Sequence, residues 1–163
     1  MALILMFTTL VTTVAYTHDT DPVVGYVEEV RIFLPSDNIV LKAKIDTGAK
    51  TSSLDVDELS FFSQKNEDWV RFMLTDNDGK RIKVSLPVER TARIRRAGTE
   101  RDERPVVKLS LCLGNYYKEV EVNLSDRDGM TYPMLIGRQF LSQSYLVDPS
   151  RKFIQKRPRC EKR

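Results

Sequence analysis

The chain has 163 residues, with 26 Lys and Arg against 23 Asp and Glu and a formal net charge of +3. That length suits one domain with a real core and is about half of what a two-lobed enzyme needs. A positive balance this mild, without a nucleic-acid-binding motif, argues against a dedicated nucleic-acid binder, so no nucleic-acid partner is expected.

Residues 1–15 carry no charged side chain. The stretch is too short to span a bilayer comfortably, so no stable membrane span is expected. It suits the apolar region of a signal peptide with Thr13-Val14-Ala15 as the cleavage site, although no Lys or Arg precedes it. On that reading the mature chain is periplasmic or secreted. The alternatives are a misassigned start or a buried N-terminal strand in a cytoplasmic protein.

From residue 22 to 154 the sequence reads as one domain of short strands and turns, an all-β barrel or sandwich. Val23 to Phe33 and Ile39 to Ile45 flank a turn at Pro35 to Asn38, and Val70 to Thr75 and Arg81 to Leu86 flank another at Asp76 to Lys80. Val88 to Ile94 and Val106 to Leu113 flank a charged loop from Arg95 to Arg104. Then come Tyr117 to Leu124, a turn at Asp126 to Gly129, and an apolar segment Met134-Leu135-Ile136 ending in Gly137. A strand from Tyr145 to Asp148 closes the domain. A helix is expected only near Gln139 to Gln143, with a further turn near Asp57 to Phe62. The end of the chain is basic, and Lys152 to Arg163 reads as a frayed tail. Cys112 alternates with Leu111 and Leu113, which turns it away from the core, while Cys160 lies in the tail. A disulfide between them is permitted in an oxidising compartment, and two unpaired thiols are equally compatible with the sequence.

The most informative stretch is Asp46-Thr47-Gly48-Ala49. It follows a run in which Leu41, Ala43 and Ile45 alternate with Lys42 and Lys44, the period-2 pattern of a half-buried strand. A carboxylate leaves that strand directly into a Gly-containing turn and is held by tight backbone. Together with Leu135-Ile136-Gly137-Arg138 downstream, this arrangement resembles the retroviral type of aspartic peptidase. The chain is more closely similar to the bacterial retropepsin-like group labelled as ATP-dependent zinc proteases, encoded near ATP-grasp peptide ligases. The segments that carry the resemblance are Gly25 to Val30, Lys42 to Leu54, Trp69 to Phe72, Arg104 to Val107, Asp126 to Met130, Leu135 to Arg138 and Val147 to Ser150. The resemblance covers roughly residues 24 to 154.

The resemblance implies a closed retropepsin-like barrel, with one short C-terminal helix, that works as a homodimer. One Asp-Thr-Gly per chain supplies half of a carboxylate pair. Two facing Asp46 carboxylates cannot both ionise cheaply, so they share one proton and can activate a water against a peptide carbonyl. Thr47 would bond across the dimer to the partner loop, and Gly48 would let backbone approach the carboxylate. Ala49 lies in the substrate-binding region and has no hydroxyl to offer the shared anion, which leads us to expect activity nearer neutral pH. Leu135, Ile136 and Gly137 would pack behind the catalytic loop. Arg138 would either bind substrate or brace the dimer through an acid. The loop from Arg95 to Arg104 occupies the flap position in that order of elements, which makes the hairpin at Asp76 to Lys80 an insertion. Its Arg95, Arg96 and Arg101 could receive acidic, even glutamate-rich, peptides through forked hydrogen bonds. The bland alternative is a solvated loop of mutually paired charges.

The label of the group fits these residues poorly. The chain has one histidine, His18, and two cysteines far apart, whereas catalytic zinc sites commonly use two His among three ligands. No phosphate-binding Gly-Lys-Ser/Thr loop occurs, so neither metal nor ATP is expected as cofactor. A catalytically silent binding module on the same fold is the competing reading.

Overall fold

Alternation along the sequence becomes alternation in space. The computed structural model describes residues 22–94, 102–125, 131–142 and 144–161. In β3 (Asn38–Ile45), Ile39, Leu41, Ala43 and Ile45 point inward and Lys42 and Lys44 outward. Before it lie β1 (Val23–Gly25) and β2 (Val27–Phe33). After it come β4 (Ser52–Asp55), β5 (Asp57–Gln64), β6 (Glu67–Thr75), β7 (Arg81–Pro87), β8 (Arg90–Ile94), β9 (Asp102–Leu113) and β10 (Tyr116–Ser125). The chain ends in β11 (Met134–Ile136), the short helix α1 (Arg138–Leu141) and β12 (Leu146–Asp148).

The neighbour order β10-β4-β11-β3-β2-β9, closed by antiparallel pairing of β9 with β10, makes a barrel of six strands. The closed all-β barrel and its short C-terminal helix are therefore as the sequence led us to expect. Strand β8 pairs only with β9 and stands off the ring, and β5, β6 and β7 form a separate sheet. That separation agrees with the hairpin at Asp76 to Lys80 being an addition to the barrel. The interior is filled by fully buried aliphatics such as Ile32, Leu41, Leu54, Leu111 and Ile136.

Several expectations need correction. The segment near Asp57 to Phe62 is strand β5 and not a turn; most of its side chains are exposed, so it has no alternation to read, and its pairing is imposed by β6. Strand β4 was not anticipated, because Ser52 and Ser53 look like turn residues yet are buried between β10 and β11. Strand β9 begins at Asp102, so Arg104 belongs to a strand and is buried. Arg95, Arg96, Arg101 and the turn at Asp126 to Gly129 lie outside the described residues.

The basic tail is not frayed. Phe153 N–H donates to the Val27 carbonyl (2.8 Å) and Arg159 N–H to that of Gly114 (2.9 Å). The fully buried Glu28 carboxylate accepts the N–H groups of Gly25 (2.7 Å), Ile154 (2.9 Å) and Gln155 (3.2 Å). A disulfide joins Cys112 to Cys160, whose Cα atoms are 5.9 Å apart. Cys112 does face away from the main core, and the tail covers it completely. Composition could not reveal this docking, since its partners are a carboxylate and a thiol far away in sequence. Gly25 is required by the same contact: a Cβ there would sit 2.4 Å from the Arg151 carbonyl oxygen. Beside it, hydrogen bonds from Ser150 and then Arg151 hold the Asp148 carboxyl down at about 2. A folded-state value below the ordinary one contributes stability above about pH 4 that is lost as pH falls toward 2.

The tail clamp is expected to carry much of the stability. Replacing Cys112 and Cys160 by Ser opens a loop of 48 residues, worth about 4 kcal/mol on the chain-entropy estimate. Glu28→Ala, which strands buried N–H groups, is expected to cost about 3 kcal/mol. Both should appear as lower urea midpoints, with an unchanged slope for Glu28→Ala.

Candidate active site

The site is built from a strand end and what lies behind it. Strand β3 runs parallel to β11 with Ala43 opposite Met134 and Ile45 opposite Ile136. The ladder continues one bond further, because Asp46 N–H donates to the Ile136 carbonyl (2.9 Å). The Asp-Thr-Gly turn and the Leu-Ile-Gly segment thus lie side by side, as expected. Beyond Ile45 the chain turns sharply, with Ala49 N–H reaching back to the Asp46 carbonyl (3.3 Å). The Asp46 carboxylate is held by that turn: its Oδ1 accepts the N–H of Gly48 (2.9 Å) and of Ala49 (3.2 Å). A Cβ on residue 48 would meet Oδ1 at 3.2 Å, so the glycine lets the backbone approach. Asp46 itself is half-buried, and Thr47 and Gly48 are exposed.

The turn is braced from the segment after β11. Gly137 N–H donates to Ser52 Oγ (3.1 Å), Arg138 N–H to the Ala49 carbonyl (2.9 Å) and Gln139 N–H to that of Lys50 (3.0 Å). No side chain fits at position 137, where a Cβ would lie 2.5 Å from the Thr51 carbonyl oxygen. The Arg138 guanidinium donates through Nη1 to the carbonyls of Thr47 (2.8 Å) and Gly48 (2.7 Å). Within the chain Arg138 thus braces the turn through two carbonyls; the roles expected of it, binding substrate or bracing a dimer through an acid, both concern a second molecule. Helix α1 is anchored by Phe140 and Leu141, and Phe140 stacks on Tyr145 at 6.4 Å between ring centres.

Beyond Thr51 the sheet face opposite the core carries a group of buried polar side chains. Ser53, Asn123, Ser125 and Arg104 are all buried. Asn123 Nδ2 donates to Thr51 Oγ1 (2.7 Å), which ties this group to the segment that follows the Asp46 turn. Their signal in the sequence was faint: polar residues at alternate positions of β10 look like an ordinary solvent face. The β8–β9 pair joins Arg93 to Glu103 at 3.2 Å, and Arg90 of β8 reaches Glu121 of β10 at 2.6 Å. The hydrogen bond from Arg90 lowers the Glu121 carboxyl below its ordinary value. Among the described residues, no three His, Cys, Asp or Glu side chains come together as a metal site, and no helix is long and apolar enough to cross a membrane.

Comparison with known proteins places these features in context. Residues 23–158 match the family model described as retropepsin-like aspartic endopeptidase RimB. A probable alpha-L-glutamate ligase of Shewanella halifaxensis is 37% identical over 116 residues, and one of Desulfotalea psychrophila is 30% identical over 113. Those matches take in 69% and 68% of this chain, which spans about a quarter of the length of these curated relatives. A crystal structure of a Legionella pneumophila protein of unknown function is similar at 30% identity and a TM-score of 0.70, over 84% of this chain and all of that one.

The close approach at Gly137 gives a direct check. Gly137→Ala must push apart β11 and the backbone at Thr51, and is expected to destabilise the fold by about 3 kcal/mol. Thermal unfolding monitored by circular dichroism would measure it.

Proposed function

Because the chain belongs to the retropepsin-like aspartic endopeptidase family RimB, we propose that it is itself an aspartic endopeptidase working as a homodimer. The observation that carries this reading is the Asp46 carboxylate, fixed at Oδ1 by two backbone N–H groups on a turn braced from Gly137 to Gln139. Fixed geometry at a reacting group is what general acid–base catalysis needs. One such carboxylate per chain makes the site incomplete until a second copy brings its own, which an isologous two-fold dimer does.

In the dimer the two facing Asp46 side chains share one proton, because two like charges at close range are costly. The anionic partner takes a proton from the bound water while the water oxygen bonds to the peptide carbonyl carbon. The protonated partner donates a hydrogen bond to the carbonyl oxygen as it gains negative charge. Collapse of the tetrahedral intermediate breaks the C–N bond, and the leaving nitrogen receives a proton from the pair. No step calls for a metal or ATP. Thr47, next to the acid and braced through its carbonyl by Arg138, is placed to hold the partner's turn.

Acidic peptides are the proposed substrates. Relatives that share this domain are described as glutamate ligases, which supports a substrate containing glutamate. The segment joining β8 to β9 carries Arg95, Arg96 and Arg101. The Cys112–Cys160 disulfide supports a periplasmic or secreted setting, since such bonds persist in oxidising compartments.

Purified protein should cleave a glutamate-rich peptide, and Asp46→Asn should lose about 10³-fold or more of that rate. Specific activity should rise with protein concentration through the dimer dissociation constant; full activity in a strictly monomeric species would sink the shared pair. Chelation should leave the rate unchanged, and loss restored by zinc alone would overturn the metal-free mechanism. Cleavage of the acidic peptide should also fall with ionic strength more steeply than that of a neutral one, because salt screens exposed charge pairs.

A further inference from the structure

Among the described residues, two buried polar atoms close to the Asp46 turn have no hydrogen-bond partner: Asn123 Oδ1 and Ser125 Oγ. Both side chains are only 5% exposed. Leaving such a group unpaired costs about 1–3 kcal/mol, so two on one strand need an explanation. They do not fill the core, because Val122 and Leu124 take the inward positions of β10 and turn Asn123 and Ser125 to the other face. On that face Asn123 stands beside Ser53 of β4 and Val106 of β9, and Ser53 stands beside Leu135 of β11, the strand that holds Asp46. Thr51, five positions after Asp46, receives the Asn123 amide.

We propose that Asn123 and Ser125, with Thr51, form a specificity subsite that receives the carboxamide or carboxyl head of a substrate side chain; this rests on the peptidase reading above. The chemistry follows from what each atom lacks. A carboxamide would donate to Asn123 Oδ1 and accept from the Ser125 hydroxyl. Turning the Asn123 amide by half a turn lets Oδ1 accept from Thr51 and presents Nδ2 outward, which suits a carboxylate. An apolar head would leave both groups unpaired, the situation in which sites discriminate most strongly. Strand β10 is three strand spacings from β3, about 14 Å, and an extended peptide advances about 3.4 Å per residue. The side chain received therefore belongs to a residue about four positions from the scissile bond.

The test uses matched peptides carrying Gln, Glu or Leu in turn at that position. Wild type should cleave the Gln or the Glu peptide at least about tenfold better than the Leu peptide in kcat/KM. Whichever of the two leads identifies the head as carboxamide or carboxyl. Ser125→Ala and Asn123→Leu should each shrink that ratio about tenfold, as expected for one lost hydrogen bond to substrate; the melting temperature of Ser125→Ala should hold or rise because an unpaired group is gone, whereas Asn123→Leu also gives up the bond to Thr51. Should Asn123→Leu fail to fold, Ser125→Ala, which removes one oxygen, still decides. Equal cleavage of the Leu peptide, or variants that keep the ratio, would overturn the subsite; a lowered melting temperature of Ser125→Ala with the ratio kept would mean that a fixed water serves these atoms. Binding of the same peptides to Asp46→Asn separates the two ideas. Discrimination in binding with no cleavage by wild type removes the peptidase reading and keeps the subsite, whereas cleavage without discrimination removes the subsite alone.

Discussion

The hydrogen bond from Asp46 N–H to the Ile136 carbonyl is the constraint on which the candidate site depends. It extends the parallel ladder of β3 and β11 one residue past the end of β3 and so fixes where the chain may turn. Strand β11 is only three residues long and has little stability of its own. It is held by neighbours on both edges, β3 and β4, and by the burial of Met134 and Ile136. The glycine after it admits the backbone at Thr51 at a distance no side chain would allow. From that contact come the bonds of Arg138 and Gln139 to the catalytic turn, and from the turn comes the fixed carboxylate. Each part is local, but none forms without the crossing of two segments about ninety residues apart in sequence.

A second chain of bonds reaches the same strand from the other side. Ile45 N–H donates to the Tyr26 carbonyl, and Tyr26 N–H donates to that of Arg151. The tail is pinned in turn by Glu28 and by the disulfide. The docked tail therefore supports the strand that presents Asp46. A small barrel has limited apolar burial, and a covalent link across 48 residues offsets this by limiting the unfolded chain.

The two faces of the barrel wall are satisfied to different degrees. The inner face is aliphatic and close-packed, while the buried part of the opposite face keeps Asn123 and Ser125 with unpaired atoms. Local rules of satisfaction are obeyed nearly everywhere, so the places where they fail draw attention to function. Asn123 stands one hydrogen bond from Thr51, which follows the turn that carries Asp46.

The sequence by itself determined the elements whose signal is local. Alternation at Leu41, Ala43 and Ile45 announced β3, and Asp46-Thr47-Gly48 followed by a distant Leu135-Ile136-Gly137 announced the closed barrel and a candidate site through their resemblance to retropepsin-like peptidases. What only the tertiary structure decided were the features whose partners are remote. Ser52 and Ser53 form a buried strand because β10 and β11 flank them. The exposed residues of β5 extend because β6 pairs with them. The basic tail docks because Glu28 and Cys112 are waiting for it, and Asn123 and Ser125 matter because Val122 and Leu124 claim the core. Periodicity reports which side of an element is apolar; it carries no information about which distant segment will cover the other side.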